Sequence, residues 1–379
     1  MIGIACLALA STAVALPVRY QGKYVYDNGV SGASWSDSSS VSDSPFEHFF
    51  DQRLDHFDRS NEGIFQQRYF INTTYWKGPD SNAPVFLCVG GEGPPLDWQV
   101  LVSSVHCNDM VELAPKHGAL LLALEHRYYG PSTPGHDLST ENLKYLNSEQ
   151  ALGDIAYFHS FISAEHSLTS SNKWVTWGGS YPGMMAALSR LRYPHLIHAS
   201  VSSSSPLQAQ VNMEEYNEVV ADSMAAKDVG GSQECLSIIT EGHKTIGDML
   251  QTQEGRSELE SLFNVCVPGS LENPKNQEMF AGDGVVYLPV QSNDPSCTTP
   301  LCNIGSVCAF LTSAEGDAVH RLADMSKEQS GGICKVVNYD LVLEAYANPK
   351  YVILYGEGGG GCYGVLLWHV CYDHIDLVV

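Results

Sequence analysis

Short runs of apolar residues punctuate the first half of the chain: Phe65-Gln-Gln-Arg-Tyr-Phe-Ile71, Pro84-Val-Phe-Leu-Cys-Val-Gly90, Ala119-Leu-Leu-Leu-Ala-Leu-Glu125, Trp174-Val-Thr-Trp177 and Ile197-His-Ala-Ser-Val201. Continuous runs of this length predict strands covered on both faces of a sheet. Between them, residues 148–166 place Leu152, Ile155, Ala156, Phe158, Phe161 and Ile162 at near-helical spacing. Strands alternating with helices predict a parallel α/β sheet. The texture changes after Pro206. Residues 214–263 are mostly polar helix formers with scattered apolar positions, broken at Gly230-Gly231, and show no strand rhythm. Residues 207–346 are therefore expected to form a largely helical insertion, a cap over the C-terminal edge of the sheet, where α/β proteins hold their ligands. No internal repeat is visible.

Composition changes this picture mainly at the ends. The chain has 379 residues, enough for one large domain or two ordinary ones. Residues 1–15 read as a secretory signal, with an apolar run from Ile2 to Leu16 and a small-residue Ala13-Val-Ala15 site. The run is too short to span a membrane. Residues 16–45, rich in Ser, Gly and Asp, read as a flexible leader, with order expected from near Phe46. The formal net charge of −23 argues against nucleic acid or an anionic membrane as a partner. Eleven cysteines, or ten once Cys6 leaves with the signal, permit up to five disulfides in an oxidising compartment, with the pairing open. Cys297, Cys302 and Cys308 lack paired Cys-x-x-Cys spacing, so disulfides are expected there rather than a metal. Asn72-Thr-Thr74 is the single glycosylation sequon. No cofactor is expected.

The chemistry concentrates in Trp174-Val-Thr-Trp-Gly-Gly-Ser-Tyr-Pro-Gly183, followed by the helix formers Met184-Met-Ala-Ala-Leu-Ser-Arg-Leu191. Strand, glycine turn and helix with a serine at the apex is the layout of a nucleophile elbow. Ser180 is the candidate nucleophile, and the amide of Tyr181, at the helix start, the candidate oxyanion donor. The strict Gly-x-Ser-x-Gly pattern is broken by Pro182, with the glycine arriving one place later at Gly183. Pro182 falls where a first-turn proline is tolerated. Gly90-Gly-Glu-Gly-Pro94 follows an apolar strand and offers the second oxyanion amide, at Gly91 or Glu92. The Glu92 carboxylate is a candidate to face a substrate amine, against an equally weighted reading as a structural turn. Glu125-His-Arg-Tyr-Tyr-Gly130 closes another strand and reads as buried ion pairing and packing rather than direct catalysis. A serine nucleophile needs a base and an orienting carboxylate. His195, His198, His243, His320, His369 and His374 follow Ser180, as does Asp340, but spacing assigns neither role.

Together these residues carry a family resemblance. Phe49-Phe-Asp-Gln-Arg-Leu-Asp-His-Phe57, Phe65-Gln-Gln-Arg-Tyr69, Gly90-Gly-Glu-Gly93, Glu125-His-Arg-Tyr-Tyr-Gly130, Tyr145-Leu-Asn-Ser-Glu-Gln-Ala-Leu152, Gly178-Gly-Ser-Tyr-Pro-Gly183 and Arg192-Tyr-Pro-His-Leu196 resemble peptidase family S28, serine peptidases that cleave near proline. The likeness is dense over residues 46–210 and weaker to about Tyr339. It implies an α/β-hydrolase core (residues 46–206) with a mostly helical insertion (207–346). It also implies exopeptidase action on peptides with proline near the cleaved bond, with Ser180 as nucleophile and Tyr181 as oxyanion amide. Carboxypeptidase and dipeptidyl-peptidase modes stay open, as does oligomeric state, a dimer included. The family's later Asn-Gly-x-x-Asp-Pro-Trp-like segment and its triad histidine have no counterpart here. Residues 347–379, with Gly358-Gly-Gly-Gly361 and Leu366-Leu-Trp-His-Val370, diverge, so the fold is expected to be C-terminally truncated and the chain inactive or impaired. A secreted peptide-binding pseudoenzyme and an esterase of the same fold are the alternatives. A lysosomal, endosomal or extracellular address fits all three.

Overall fold

The computed structural model describes residues 44–347, apart from 94, 104–106, 108, 136–137, 209, 213 and 291–292. The expected signal, most of the leader, and the tail with His369 and His374 lie outside the described residues. Two compact units divide the chain, the first within residues 29–209 and the second over residues 210–345.

The first unit is a six-stranded sheet: β1 (Glu47–Arg53), β2 (Ile64–Asn72), β3 (Val85–Val89), β4 (Leu120–Leu124), β5 (Trp174–Gly179) and β6 (Ile197–Ser203), in spatial order β1-β2-β4-β3-β5-β6. The sheet is mixed, not wholly parallel as the alternation of strands and helices predicts. β3 to β6 pair in parallel, whereas β1 with β2 and β2 with β4 pair antiparallel. Strand direction is set by the connection. β1 and β2 are joined by a short loop with no helix, which returns the chain antiparallel.

Among the described residues, three α-helices accompany this sheet: α1 (Met110–His117), α2 (Ser148–Glu165) and α3 (Tyr181–Arg192). Every residue of β3 and β4 is buried. Because successive side chains alternate across a strand, the apolar runs feed two cores. Val85, Leu87, Val89, Leu120, Leu122 and Leu124 pack with Ile155, Phe158 and Ile162 of α2 and with Met185 and Ala186 of α3. Phe86, Cys88, Leu121 and Ala123 pack on the other face with Val100, Leu101 and Met110 and Ala114 of α1. The helix read at residues 148–166 starts where its cap dictates. The Asn147 side chain accepts from the Gln150 amide at 2.8 Å, satisfying one of the first-turn donors.

The second unit is helical: α4 (Glu214–Ala225), α5 (Gln233–Met249), α6 (Gln253–Leu262), α7 (Pro274–Met279), α8 (Ile304–Ser313), α9 (Ala318–Ser330) and α10 (Tyr339–Ala347). Gly230, at φ 91°, makes the break before α5. This unit has its own apolar core, including Ile238, Ile246, Leu259, Phe263, Val307, Leu311 and Leu322. Four disulfides are present among the described residues: Cys88–Cys107 in the sheet unit, and Cys235–Cys308, Cys266–Cys334 and Cys297–Cys302 in the helical unit. The trio Cys297, Cys302 and Cys308 is thus consumed by covalent pairing. Such pairing belongs to an oxidising compartment. Among the described residues, no helix is long and apolar enough to cross a membrane.

Candidate active site

The strand order locates the site. From β3 the chain steps to β4 on one side, then returns across β3 to β5 on the other. The C-terminal ends of β3 and β5 therefore flank a topological switch point, where open α/β sheets bind ligands. Gly90-Gly-Glu leaves β3 and Ser180 leaves β5 at that edge.

Ser180 sits at φ 58° and ψ −131°, outside the regions that residues with a Cβ ordinarily adopt. Such a conformation persists only where the surroundings over-determine it. Here the Ser180 amide donates to the Ser203 carbonyl of β6 at 3.0 Å, and its own carbonyl accepts from the Met184 amide at 3.0 Å, opening α3. Two glycines make the turn possible. A Cβ on Gly178 would lie 2.3 Å from the Pro182 carbonyl oxygen, and one on Gly183 would lie 3.0 Å from the carbonyl oxygens of Gly178 and Ser203. The tight approaches of this elbow are thus at Gly178 and Gly183, so the displacement of the second glycine past Pro182 leaves the turn intact. Tyr181 and Pro182 occupy the first turn of α3, and Arg190 and Arg192 its last, in accord with the helix dipole.

The β3 loop closes against this helix start. A Cβ on Gly91 would fall 2.2 Å from Pro182 Cγ and 3.3 Å from the Tyr181 ring, so the loop needs glycine to reach the elbow. The backbones following β3 and β5 thereby meet, the arrangement an oxyanion hole requires. Glu92 follows. The residue as a whole is half-buried, yet its Oε2 is shielded from solvent with no hydrogen-bond partner. Burial pushes the carboxyl up to about 7, against its own backbone amide, which favours the charged form.

Residues at the end of β4 brace this edge. Glu125 accepts from the Leu96 amide at 3.0 Å and from Ser132 Oγ at 2.6 Å, and pairs with Arg68, which also donates to the Leu96 carbonyl at 2.9 Å. Burial raises the Glu125 carboxyl above its ordinary value, although Arg68 opposes the shift. Arg127, fully buried, holds Asp154 of α2 through Nε at 2.7 Å and a terminal nitrogen at 2.6 Å. Its remaining donors reach the carbonyls of Arg53, Leu54 and Tyr145. His56 Nε2 adds a further contact to Asp154 at 2.8 Å. Burial would raise the Asp154 carboxyl, but the Arg127 charge and these hydrogen bonds outweigh it and hold it low.

His195 and His198 are exposed, following α3 and on β6. Within the helical unit, His243 is bound to the Ile239 carbonyl at 2.9 Å, His320 pairs with Asp317 at 2.7 Å, and Asp340 is exposed, 3.9 Å from Lys275. Among the described residues, none hydrogen-bonds the Ser180 hydroxyl. At the sequon, Asn72 ends β2 buried, and its Nδ2 donates to the Leu101 carbonyl at 3.1 Å. The contacts of His126 and the long-range partners of Glu125 and Arg127 were not legible in sequence. The motif marks a strand end but does not say what lies across from it.

The family model described as serine carboxypeptidase S28 matches residues 52–351. The chain belongs to that family. A Caenorhabditis elegans protein described as a serine protease is 41% identical over 281 residues, 73% of this chain and 53% of that one. Human thymus-specific serine protease is 35% identical over 263 residues, 68% of this chain and 49% of that protein. Mouse lysosomal Pro-X carboxypeptidase is 26% identical over 276 residues, 69% and 53% of the two chains. The chain spans about half the length of the curated relatives it matches. Within the S28 match lie β2 to β6, the elbow and the helical unit up to α10, and its sheet is the α/β-hydrolase core.

Proposed function

We propose that this chain carries the acyl-transfer centre of a serine exopeptidase, with Ser180 as nucleophile and the amides of Tyr181 and Gly91 as oxyanion donors. The observation that carries this reading is the backbone of Ser180, φ 58° and ψ −131° at the tip of a strand–turn–helix. Attack of Ser180 Oγ on a substrate carbonyl forms a tetrahedral oxyanion beside the start of α3, where backbone N–H groups and the helix dipole stabilise it. Collapse breaks the C–N bond, the proton lost from Ser180 Oγ passing through the base to the leaving amine, and leaves an acyl-enzyme, which water hydrolyses. The substrates are peptides with proline near the cleaved bond, a preference supported by the relative named for Pro-X cleavage. Glu92 meets a polar group of that substrate. The enzyme works in the secretory pathway, in lysosomes or endosomes or outside the cell, in keeping with its disulfides.

Activation of Ser180 requires a base, which none of the described residues of the sheet unit offers to its hydroxyl. Without one, catalysis falls to roughly 10³–10⁴-fold over water. Fluorophosphonate labelling of the secreted chain, beside Ser180→Ala, tests the assignment. Ser180-dependent labelling with turnover of a prolyl peptide supports the peptidase. Prolyl-peptide binding without labelling makes the chain a pseudoenzyme, and turnover of a p-nitrophenyl ester alone makes it an esterase.

A further inference from the structure

His126 lies at the end of β4, buried at 5% exposure, and the assigned reaction does not use it. Its Nδ1 is 2.7 Å from the Arg127 carbonyl oxygen, which can only accept, so Nδ1 carries the proton. In that tautomer Nε2 is an acceptor. It lies 3.0 Å from the Tyr181 hydroxyl, which therefore donates. Tyr181 is itself 7% exposed, with its ring edge-on to His126 at 5.5 Å between centroids. The ring of Tyr129 stands edge-on to His126 at 5.3 Å. Tyr181 is the residue whose backbone N–H follows the nucleophile. Its ring also lies against Gly91, the other oxyanion candidate, while a Cβ on Gly90 would sit 2.9 Å from the His126 amide nitrogen. His126 thus meets both walls, through its backbone at the β3 loop and through its ring at the elbow.

We propose that His126 is a positioning residue for acyl transfer: by accepting from the Tyr181 phenol it fixes the peptide between Ser180 and Tyr181, and so aims the Tyr181 amide at the oxyanion. The inference rests on the reading of Ser180 as nucleophile. Its chemistry is consistent with the surroundings. Burial takes the imidazole down to about 4, assisted by Arg127 and opposed by the Arg127 carbonyl and by Asp154, so Nε2 stays an acceptor at neutral and mildly acidic pH. A ring serving as general base would instead need to reach the Ser180 hydroxyl, and His126 spends Nε2 on the tyrosine.

Tyr181→Phe removes only the hydroxyl and keeps the packed ring, and His126→Gln removes the acceptor ring. Each is expected to slow fluorophosphonate labelling of Ser180 by about tenfold, the worth of one buried hydrogen bond, with unchanged peptide affinity. The double variant should lose no more than either single, as for two ends of one interaction. Labelling of Tyr181→Phe at the wild-type rate, or additive losses in the double variant, overturns the proposal. Wild type labelled no better than Ser180→Ala defeats the nucleophile reading instead. In that case amide hydrogen exchange decides the positioning role. Faster exchange confined to the amides of residues 181 and 183 in Tyr181→Phe supports it, and unchanged exchange there overturns it.

Discussion

Ser180 holds a conformation that a side chain makes costly and glycine makes easy. Residues in such regions cost about 1–3 kcal/mol each. Ser180→Gly is therefore expected to abolish labelling while raising thermal stability by about 1 kcal/mol, whereas Ser180→Ala gains no such relief. Melting curves of the two variants check this, and equal stabilities would remove the case for strain. Glu92 is the second residue with a cost. Its carboxyl sits near 7 when folded against an ordinary 4.5. The folded state thus keeps a proton that the unfolded chain gives up as pH rises from 4.5. The associated stability is present below that pH and is lost as pH climbs through 7. Glu92→Gln should be more stable than wild type at pH 8, on the order of 2 kcal/mol. The difference should shrink toward zero by pH 4.5. A pH-independent difference would mean the carboxyl is not buried as described.

At the scale of elements, the chain leaving β4 is locked to α2 by buried charge. Arg127 has no exposure, and Asp154 supplies both of its carboxylate oxygens to it. Removing one partner of such a pair costs about 3–5 kcal/mol, because the other charge is left buried. Asp154→Asn is expected to fall in that range in a denaturant titration. The Arg127→Met, Asp154→Leu double variant should recover much of the loss, and a loss below 1 kcal/mol for Asp154→Asn would show that the pair is not sealed from water. Glu125 does a similar service for the β3 loop by holding the Leu96 amide. The β3 loop and the elbow are thus both braced from one strand end, which is why Glu125-His-Arg carries so many polar groups where the preceding five residues of β4 are all apolar.

For the whole molecule, the disulfides are unevenly placed. Cys235–Cys308 and Cys266–Cys334 close separations of 73 and 68 residues within the helical unit, whereas Cys297–Cys302 closes only 5. Loop-closure entropy makes the long links worth about 4 kcal/mol each and the short one about 2. Replacing Cys235 and Cys308 by serine should lower the melting of the helical unit more than the same change at Cys297 and Cys302. Calorimetry of the two variants would decide it, the reverse order contradicting the assigned pairing.

The sequence by itself carried what is local. Continuous apolar runs can satisfy their side chains only inside a sheet covered on both faces, and Gly178, Ser180 and Gly183 carry the geometry of a tight turn in their own backbones. The positions of β2 to β6 and the elbow were therefore legible from single stretches of chain, whereas β1, polar at five of its seven positions, offered no such run. Tertiary structure decided what depends on residues far apart. The antiparallel entry of β1 and β2 follows from pairing that no single strand encodes. The Asn72 side chain meets a carbonyl 29 positions away, and cysteine partners lie up to 73 residues apart. His126 and Tyr181, 55 positions apart, meet only because β3 brings β4 and β5 to its two sides. A hydrogen bond needs two groups within about 3 Å, and that closeness is a property of the folded chain alone.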